Sequence, residues 1–273
     1  MKPIRSLAFV VNSDKPGAVE LARSLVAVAR AQGVRLKQTT HFPLRRGYLR
    51  GCDACCVIGG DGTLLGVVRE AALEGVPIIG VNRGSLGFLT TFSPDEARAG
   101  FEGLLRGAFC VDKRAMLECS VAGAHPNLAL NDVLIKDELS TGLVHLEVFA
   151  DGELVTDYLC DGLIFSTATG STAYNLSAGG PIIHPAANVI AMTPICPHTL
   201  TNRPVIVPDS SVIHILNHGE EGTYLTIDGQ VGEPLSKGDR IICRSSQKTI
   251  QLIRPPKSLF FDVLREKLKW GER

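Results

Sequence analysis

The sequence lacks a net charge and a long apolar run, and no secretory leader is predicted at its start; each of these observations limits the functions to be expected. Its 28 basic and 28 acidic side chains cancel, so no overall field attracts nucleic acid or an anionic membrane. The first residues, MKPIRSLAFVVNSD, hold too few apolar side chains for a signal peptide. No later stretch approaches the roughly 18 apolar residues of a membrane span. We therefore expect neither nucleic acid nor a membrane as a partner.

The eight cysteines are scattered through the chain, most of them inside apolar segments. Because no secretory leader is predicted, the cysteines are expected to be reduced and buried, which favours a cytoplasmic location. Cys52, Cys55 and Cys56 include a C-x-x-C spacing, but a second pair at zinc-site spacing is missing, so a structural role is favoured. The seven histidines show no metal-ligand spacing either, and no metal ligands are predicted.

The first 113 residues alternate between strand and helix patterns. Apolar runs of strand length, such as SLAFVVN, DACCVI and VPIIGVN, are each followed by a segment with apolar residues at helical spacing. The segment SPDEARAGFEGLL opens with a good helix-capping sequence. This β-α-β alternation predicts a Rossmann-like α/β domain, with a parallel sheet covered by helices.

Beyond residue 113 the pattern changes to short strands separated by Gly, Asp, Asn and Pro, among them RIICRSS and TIQLIRP as two separate strands, and FADGEL is a clear hairpin turn. A mostly-β second domain is predicted over 114–257. The chain then ends in SLFFDVLREKLKW, where Leu259, Phe260, Val263, Leu264 and Leu268 lie at helical spacing. Residues 258–273 are therefore expected to return to the α/β domain.

The segment VIGGDGTLL, 57–65, places the carboxylate of Asp61 among glycines directly after a strand. Asp61 and Gly62 could form a hairpin corner, but the residues that follow have helical spacing. A strand, a glycine-rich turn and a helix together make a good phosphate site. The lysine of a P-loop and the G-x-G-x-x-G fingerprint are both missing. A carboxylate facing phosphates needs a further task, either binding a metal or accepting a proton, and the loop alone leaves these alternatives open.

Two further segments strengthen the phosphate hypothesis. GVNRGSLGFLTTF, 80–92, ends another strand in a glycine-rich turn that carries Arg83; this arginine could contact phosphate or be an ordinary surface residue. DGLIFSTATGSTAYNLSAGGPI, 161–182, has small hydroxyl residues and glycines in a long run. Such a run lets a ligand approach the backbone and offers hydroxyl donors.

Six segments together resemble the motifs of the bacterial NAD kinases. They are GGDGT at 59–63, GVNRGSLGFL at 80–89, ND at 131–132, the 161–182 segment, PHTLTNRPVIVP at 197–208 and DGQ at 228–230. Their order is that of the family, and they span almost the whole chain. Lipid kinases share a GGDGT loop, whereas the Thr-Gly-Ser-Thr-Ala-Tyr stretch resembles NAD kinases only.

The resemblance implies that the 2′-hydroxyl of the adenosine ribose of NAD attacks the γ-phosphate of ATP, which gives NADP and ADP. Asp61 would then be the general base, and magnesium would arrive with ATP. Aspartate is a weak base toward an alcohol, but orientation matters more when the transition state is loose. Gly59, Gly60, Thr63 and Arg83 would bind phosphate or ATP.

The resemblance also implies a set of NAD contacts and a homo-oligomer, either a dimer or a tetramer. Asn131 and Asp132 suit a ribose diol or an adenine amine, Asp161 suits the nicotinamide amide, and Tyr174 suits stacking. The full implied set is Asp61, Gly62, Asn131, Asp132, Asp161, Thr172, Ala173, Tyr174, Ser177 and Gln230. Polyphosphate is an alternative phosphoryl donor. A lipid or small-alcohol kinase and a non-catalytic NAD-binding sensor are the alternative functions.

Overall fold

The fold was analysed in a computed structural model of the chain, in which residues 2–84, 87–137, 142–219, 222–255 and 260–271 are described. The chain divides into two compact units. The first contains residues 1–113 and 249–273, and the second contains residues 114–248.

The first unit has a parallel sheet with strand order β2-β1-β3-β4, as predicted from the β-α-β alternation. Its elements up to the boundary are β1 (Ser6–Val11), α1 (Ala18–Ala31), β2 (Arg35–Thr39), β3 (Ala54–Gly59), α2 (Asp61–Glu74), β4 (Ile78–Asn82), α3 (Pro94–Leu105) and the start of β5 (Cys110–Val121). Every residue of β1, β3 and β4 is buried, which is typical of parallel strands covered on both faces. Ser93 caps α3 in a capping box with Glu96, as its sequence predicts.

The second unit is built from antiparallel strands in two sheets that share one apolar core. One sheet has the order β12-β11-β10-β7-β14-β15, and the other contains β5, β6, β8, β9, β13 and the first part of β16. The strands are β6 (Asn127–Ala129), β7 (Asp132–Asp137), β8 (Val144–Ala150), β9 (Glu153–Cys160), β10 (Gly162–Thr167), β11 (Val189–Ile195), β12 (Val205–Pro208), β13 (Val212–Asn217), β14 (Thr223–Ile227), β15 (Val231–Leu235) and β16 (Arg240–Arg254), with the short helix α4 (Tyr174–Ser177) after β10.

The predicted hairpin at FADGEL is confirmed, since β8 pairs with β9 and Asp151 and Gly152 both have positive φ, 52° and 86°. The sequence does not predict β11 and β15, which contain Pro194 and Pro234. Two segments interpreted as separate strands, RIICRSS and TIQLIRP, form the single strand β16.

The end of β16 pairs with β4 in the first unit, through Leu252 with Ile78 and Ile253 with Ile79. The first unit therefore resumes at Thr249, earlier than the residue 258 expected from the sequence. The last helix, α5 (Phe260–Leu268), buries Val263 and Leu264, whereas Leu259, Ser85 and Leu86 lie outside the described residues. In the described part of the chain no helix is long and apolar enough to cross a membrane.

The cysteines are free thiols throughout the described residues, and six of the eight are buried. Cys55 and Cys56 of β3 have no exposed surface. Burial raises the pKa of both thiols, because a thiolate would lose its hydration. These two residues contribute to the core of the first unit. Cys110 and Cys196 are exposed.

Candidate active site

Asp61 lies where the sequence predicts, at the point where a strand of the first unit ends and a helix begins. β3 ends at Gly59, Gly60 is the N-cap residue, and Asp61 is the first residue of α2. The hairpin interpretation of Asp61 and Gly62 is therefore wrong. The first N–H groups of a helix have no partner within the helix, and its dipole is positive at this end. The loop can therefore hold phosphate.

The carboxylate of Asp61 is held by the turn that follows β4. Oδ2 accepts a hydrogen bond from the N–H of Phe88, 2.9 Å. Oδ1 accepts from the N–H of Leu89, 3.3 Å, and from the N–H and hydroxyl of Thr90, 2.9 and 2.8 Å. The end of the GVNRGSLGFL segment thus fixes the orientation of the acid in the GGDGT segment.

Thr63 is buried beneath the same loop. Its hydroxyl accepts a hydrogen bond from Asn12 Nδ2, 3.0 Å away, and a Cβ at Gly59 would lie 2.6 Å from that oxygen. Gly59 is therefore needed to let Thr63 pack under the turn. The hydrogen bond between Asn12 and Thr63 thus links the residue after β1 to the first turn of α2.

Arg83 directly follows β4 and is half-buried. Its Nε and Nη2 donate to the carbonyl oxygen of Pro16, at 3.0 and 2.5 Å. A Cβ at Gly17, which has a φ of 71°, would lie 2.2 Å from Arg83 Nη2. Part of the donor capacity of Arg83 is thus used to hold the loop between β1 and α1.

In the second unit, the carboxylate of Asp228 holds the predicted Asn131 and Asp132 turn. Asp228 Oδ1 accepts from the backbone N–H groups of Asn131 and Asp132, at 2.7 and 3.0 Å, and Oδ2 accepts from that of Leu130 at 2.7 Å. The N–H of Asp228 in turn donates to the carbonyl of Asp132, 2.9 Å. This places Gln230, which is exposed, near Asn131 and Asp132.

The 161–182 segment contacts the same turn from the other side. The carbonyl of Asn131 accepts from the N–H of Thr167 at 2.9 Å, and the Thr167 hydroxyl donates to the carbonyl of Leu130 at 2.6 Å. A Cβ at Gly170 would lie 2.0 Å from the Asn131 oxygen. Only glycine allows this approach of two backbones.

Beyond Gly170 the segment forms a 3₁₀ turn and then α4, which together carry the predicted contacts Thr172, Ala173, Tyr174 and Ser177. Asn175 is fully buried and anchors the segment. Its Nδ2 donates to the carbonyls of Ser171 and Pro181, and its Oδ1 accepts from the Thr193 hydroxyl at 2.6 Å. Tyr174 and Ser177 are exposed, and Tyr174 keeps 45% of its surface accessible.

Asp161 is not brought together with Asn131 and Asp132. It precedes β10, whose Gly162 pairs with Lys136, whereas Ser166 at the other end pairs with Asp132. At 3.3 Å per residue, Asp161 and Asn131 are separated by roughly 20 Å along the strand. Asp161 is exposed and faces Cys196, whose thiol pKa is raised by its hydrogen bond with the Asp161 carboxylate.

Asp132 is a buried acid beside a second acid. Burial, and then the charge of Asp228, raise its pKa from 3.8 to about 7. Burial also raises the pKa of Asp228, although the three backbone N–H groups act in the opposite direction. Asp132 can therefore be protonated near neutral pH and act as a hydrogen-bond donor as well as an acceptor.

We expect Asp132→Asn to remove a pH dependence of stability. The unfolded acid titrates near 3.8 and the folded acid near 7, so wild-type stability falls as pH rises through this window and stays reduced above it. The amide cannot lose a proton. The difference in the free energy of unfolding between the variant and wild type, measured with urea, should shift in favour of the variant by on the order of 2 to 4 kcal/mol between pH 4 and pH 8.

The exposed acid Glu153 in the same unit offers a control, Glu153→Gln, measured over the same pH range. A constant difference between Asp132→Asn and wild type across the range would show that Asp132 is ionised in the folded protein throughout.

Three residues of this arrangement are not predicted by the sequence. Thr90 lies one residue beyond the GVNRGSLGFL segment, Asp228 begins the DGQ segment in which only Gln230 is singled out, and Gly170 is one of several glycines. For Asp228 a usable signal exists, since an acid before glycine in a short turn suits backbone hydrogen bonding. Its partners lie 96 to 98 residues away, which the sequence does not show.

The fold and the site define a class of protein. An α/β unit carries an acid in a loop suited to binding phosphate, and an antiparallel β unit carries a segment of glycines and small hydroxyl residues suited to binding a ligand. Among the described residues, no group of three or more His, Cys, Asp and Glu side chains could hold a metal ion.

Comparison with known proteins identifies the family. Residues 37–109 match the model of the ATP-NAD kinase N-terminal domain, and residues 130–255 match that of the ATP-NAD kinase C-terminal domain. A NAD kinase from Solibacter usitatus is 42% identical, with 100% of both chains covered. A NAD kinase from Koribacter versatilis is 46% identical over 80% of this chain and 78% of its own. The chain belongs to the NAD kinase family.

Two solved structures share the fold. A yeast NADH kinase complexed with NADH has a TM-score of 0.90 at 24% identity and covers 99% of this chain and 89% of its own. An Archaeoglobus fulgidus NAD kinase in complex with ATP has a TM-score of 0.81 at 23% identity, and the match covers 97% of this chain and 100% of that one. The predicted fold class, α/β followed by mostly β, is thus confirmed.

Proposed function

We propose that the protein is a NAD kinase that transfers the γ-phosphoryl group of ATP to the 2′-hydroxyl of the adenosine ribose of NAD, with NADP and ADP as products. The observation that carries this proposal is the position of Asp61. One acid lies at the start of α2, among N–H groups suited to phosphate, with its carboxylate oriented by the turn at 88–90. Full-length relatives named NAD kinase support the choice of substrates.

In this proposal Asp61 accepts the proton of the attacking hydroxyl. The ribose oxygen forms a bond to the γ-phosphorus while the bond from that phosphorus to the leaving ADP oxygen breaks. Gly59 and Gly60 let the backbone approach phosphate, and Thr63 contributes by bracing the loop through Asn12. Arg83 supplies positive charge near the same strand ends.

The second unit would supply most NAD contacts. Within this unit, Asn131 and Asp132 would address a ribose or the adenine. Further contacts would come from Thr172, Ala173, Tyr174, Ser177 and Gln230. Gly62, in the loop of the first unit, is proposed separately as a contact because the family resemblance implies it. Asp161 lies at the opposite end of β10, so we propose that it contacts a remote group of the dinucleotide. The nicotinamide amide fits its carboxylate, because an amide N–H₂ donates and a carboxylate accepts.

The remaining parts of the proposal concern magnesium, assembly and location. Magnesium is part of the MgATP substrate, where it offsets the charge that Asp61 and the phosphates bring together. We also propose a homodimer or homotetramer and a cytoplasmic location, the latter supported by the free thiols. ATP is the proposed donor, and polyphosphate is the alternative to be compared with it.

The function is tested by an NADP-formation assay with purified protein, NAD, ATP and magnesium, coupled to glucose-6-phosphate dehydrogenase. NADP formation that depends on ATP is the expected result. NAD binding by calorimetry without turnover would favour the sensor alternative. The absence of both turnover and NAD binding would reject the proposal and favour a lipid or small-alcohol substrate. Replacing ATP by polyphosphate in the same assay identifies the donor.

We expect Tyr174→Ala to weaken NAD binding more than ATP binding. The ring is 45% exposed at the start of α4, and stacking of a base on an aromatic side chain contributes about 1 to 3 kcal/mol. The apparent Kd for NAD from calorimetry should rise at least about fivefold on this estimate. Tyr224→Phe in β14 is the control, because it alters a half-buried tyrosine elsewhere in the same unit and keeps its aromatic ring. A larger loss of ATP affinity would show that the NAD pocket is wrongly placed.

A further inference from the structure

The two oxygens of Asp61 have unequal surroundings. Within the described residues, Oδ1 accepts from three donors, the N–H of Leu89 and the N–H and hydroxyl of Thr90, whereas Oδ2 accepts from one, the N–H of Phe88. Oδ1 is therefore close to saturated, because a carboxylate oxygen has about two lone-pair sites. Oδ2 keeps acceptor capacity for another hydroxyl.

Thr90 is the side chain that creates this asymmetry. It has no exposed surface, and its hydroxyl is the only side-chain donor to Asp61 among the described residues. The rest of the turn is fixed by backbone bonds, from Asn82 N–H to the Phe92 carbonyl, 2.8 Å, and from Phe92 N–H to the Gly80 carbonyl, 3.1 Å.

Two glycines leave room for the Thr90 and Asp61 pair. A Cβ at Gly87 would lie 2.1 Å from Asp61 Oδ1 and 2.3 Å from the Thr90 hydroxyl oxygen. A Cβ at Gly80 would lie 2.9 Å from Thr90 Cα. All three distances are shorter than non-bonded atoms allow, so any other residue at Gly87 would displace the carboxylate or the hydroxyl. The absence of side chains at Gly80 and Gly87 thus leaves the space in which the Thr90 hydroxyl donates to Asp61 Oδ1.

We propose that Thr90 is a positioning residue for the reaction and that Asp61 Oδ2 is the oxygen that accepts the proton. This inference rests on the proposed function. The Thr90 hydroxyl, with its own N–H, holds Oδ1 and prevents rotation of the carboxylate, so that Oδ2 faces the attacking hydroxyl. When the ribose oxygen bonds to the γ-phosphorus and ADP leaves, the hydroxyl proton moves to Oδ2. Catalysis depends steeply on such orientation, and a displacement of about 1 Å can cost about 100-fold in rate.

The test compares Thr90→Val, which keeps the shape and removes the hydroxyl, with Thr90→Ser, which keeps the hydroxyl. Steady-state NADP formation should show kcat reduced about 10- to 100-fold in Thr90→Val. The KM values for NAD and ATP should change less than about twofold, because interactions that bind the ground state and the transition state equally are unaffected. Thr90→Ser should recover most of kcat. This split between kcat and KM, together with the recovery, would not follow from a structural role alone.

Thr91→Val is the matched control. Thr91 is adjacent in the chain, and within the described residues its buried hydroxyl oxygen has no hydrogen-bond partner, so kcat should remain at the wild-type value. If Thr90→Val does not fold, as judged by circular dichroism, Thr90→Ala replaces it, because a smaller side chain cannot clash. The same loss of kcat is expected there.

The outcomes separate this inference from the proposed function. Wild-type protein that forms no NADP rejects the proposed function. Active wild-type protein with unchanged kcat in Thr90→Val or Thr90→Ala rejects only the role of Thr90. Equal losses in Thr90→Val and Thr91→Val, or no recovery in Thr90→Ser, would likewise overturn it, because the effect would then come from packing.

Discussion

Asp61→Asn should reduce kcat for NADP formation by about 100- to 10,000-fold, the usual contribution of a general base. This corresponds to roughly 3 to 5 kcal/mol of transition-state stabilisation. The amide has nearly the same shape but cannot take up the hydroxyl proton. Because it would still occupy the space beside the 88–90 turn, we expect the Kd for NAD, measured by calorimetry, to change much less than kcat.

Asp95→Asn is the matched control for this variant. Asp95 is also an acid in the first turn of a helix of the first unit, α3, and its side chain is 95% exposed. Its amide variant removes the same charge from a comparable helix position, so kcat should stay near the wild-type value. Equal losses of turnover and NAD affinity in Asp61→Asn would mean that Asp61 binds substrate and does not act as a base.

Gly170→Ala should give the largest loss of stability among the variants considered. The added Cβ would lie 2.0, 2.4 and 2.6 Å from the O, C and Cα atoms of Asn131. All three belong to the backbone, so the conflict cannot be relieved by a side-chain rotation. Either the 130–132 turn or the segment after β10 must move. We expect a loss of about 3 kcal/mol or more in the free energy of unfolding.

The same variant should weaken NAD binding at least about tenfold, because the displaced turn carries Asn131 and Asp132. Urea unfolding and calorimetry would measure the two effects. Gly179→Ala is the control: among the described residues nothing lies within 4 Å of its Cβ position, but its φ is 83°. Its expected cost is therefore the backbone strain alone, roughly 1 to 2 kcal/mol. Wild-type stability in Gly170→Ala would show that the two backbones are not in close contact.

The regular elements of the first unit could be read from the sequence because their patterns are local. Apolar strands followed by helical spacing identify β1, α1, β3, α2 and β4 with errors of a few residues. In the second unit the same approach misses β11 and β15, since proline within a strand argues against one. It also divides β16, because the polar residues SSQK interrupt the apolar alternation in its middle.

The candidate site was predictable only in part. The motifs identify Asp61, Asn131, Asp132 and the 161–182 segment. The structure brings Asn131 into direct contact with Thr167 and Gly170 and pairs Asp132 with Ser166. The wide separation of Asp161 from Asn131 depends on the antiparallel register of β7 and β10. Register is decided by packing of whole strands, so no single motif reveals it.

By itself, the sequence determined the fold class, the loop that carries Asp61 and the family resemblance, because apolar periodicity and short motifs depend on residues close together in the chain. Only the tertiary structure decided which oxygen of Asp61 is held by Thr90, that Asp228 binds the 130–132 turn, and that burial raises the pKa of Asp132 to about 7. These properties arise from hydrogen bonds and burial between residues that lie 29 to 98 positions apart, and burial and close approach exist only once the chain has folded.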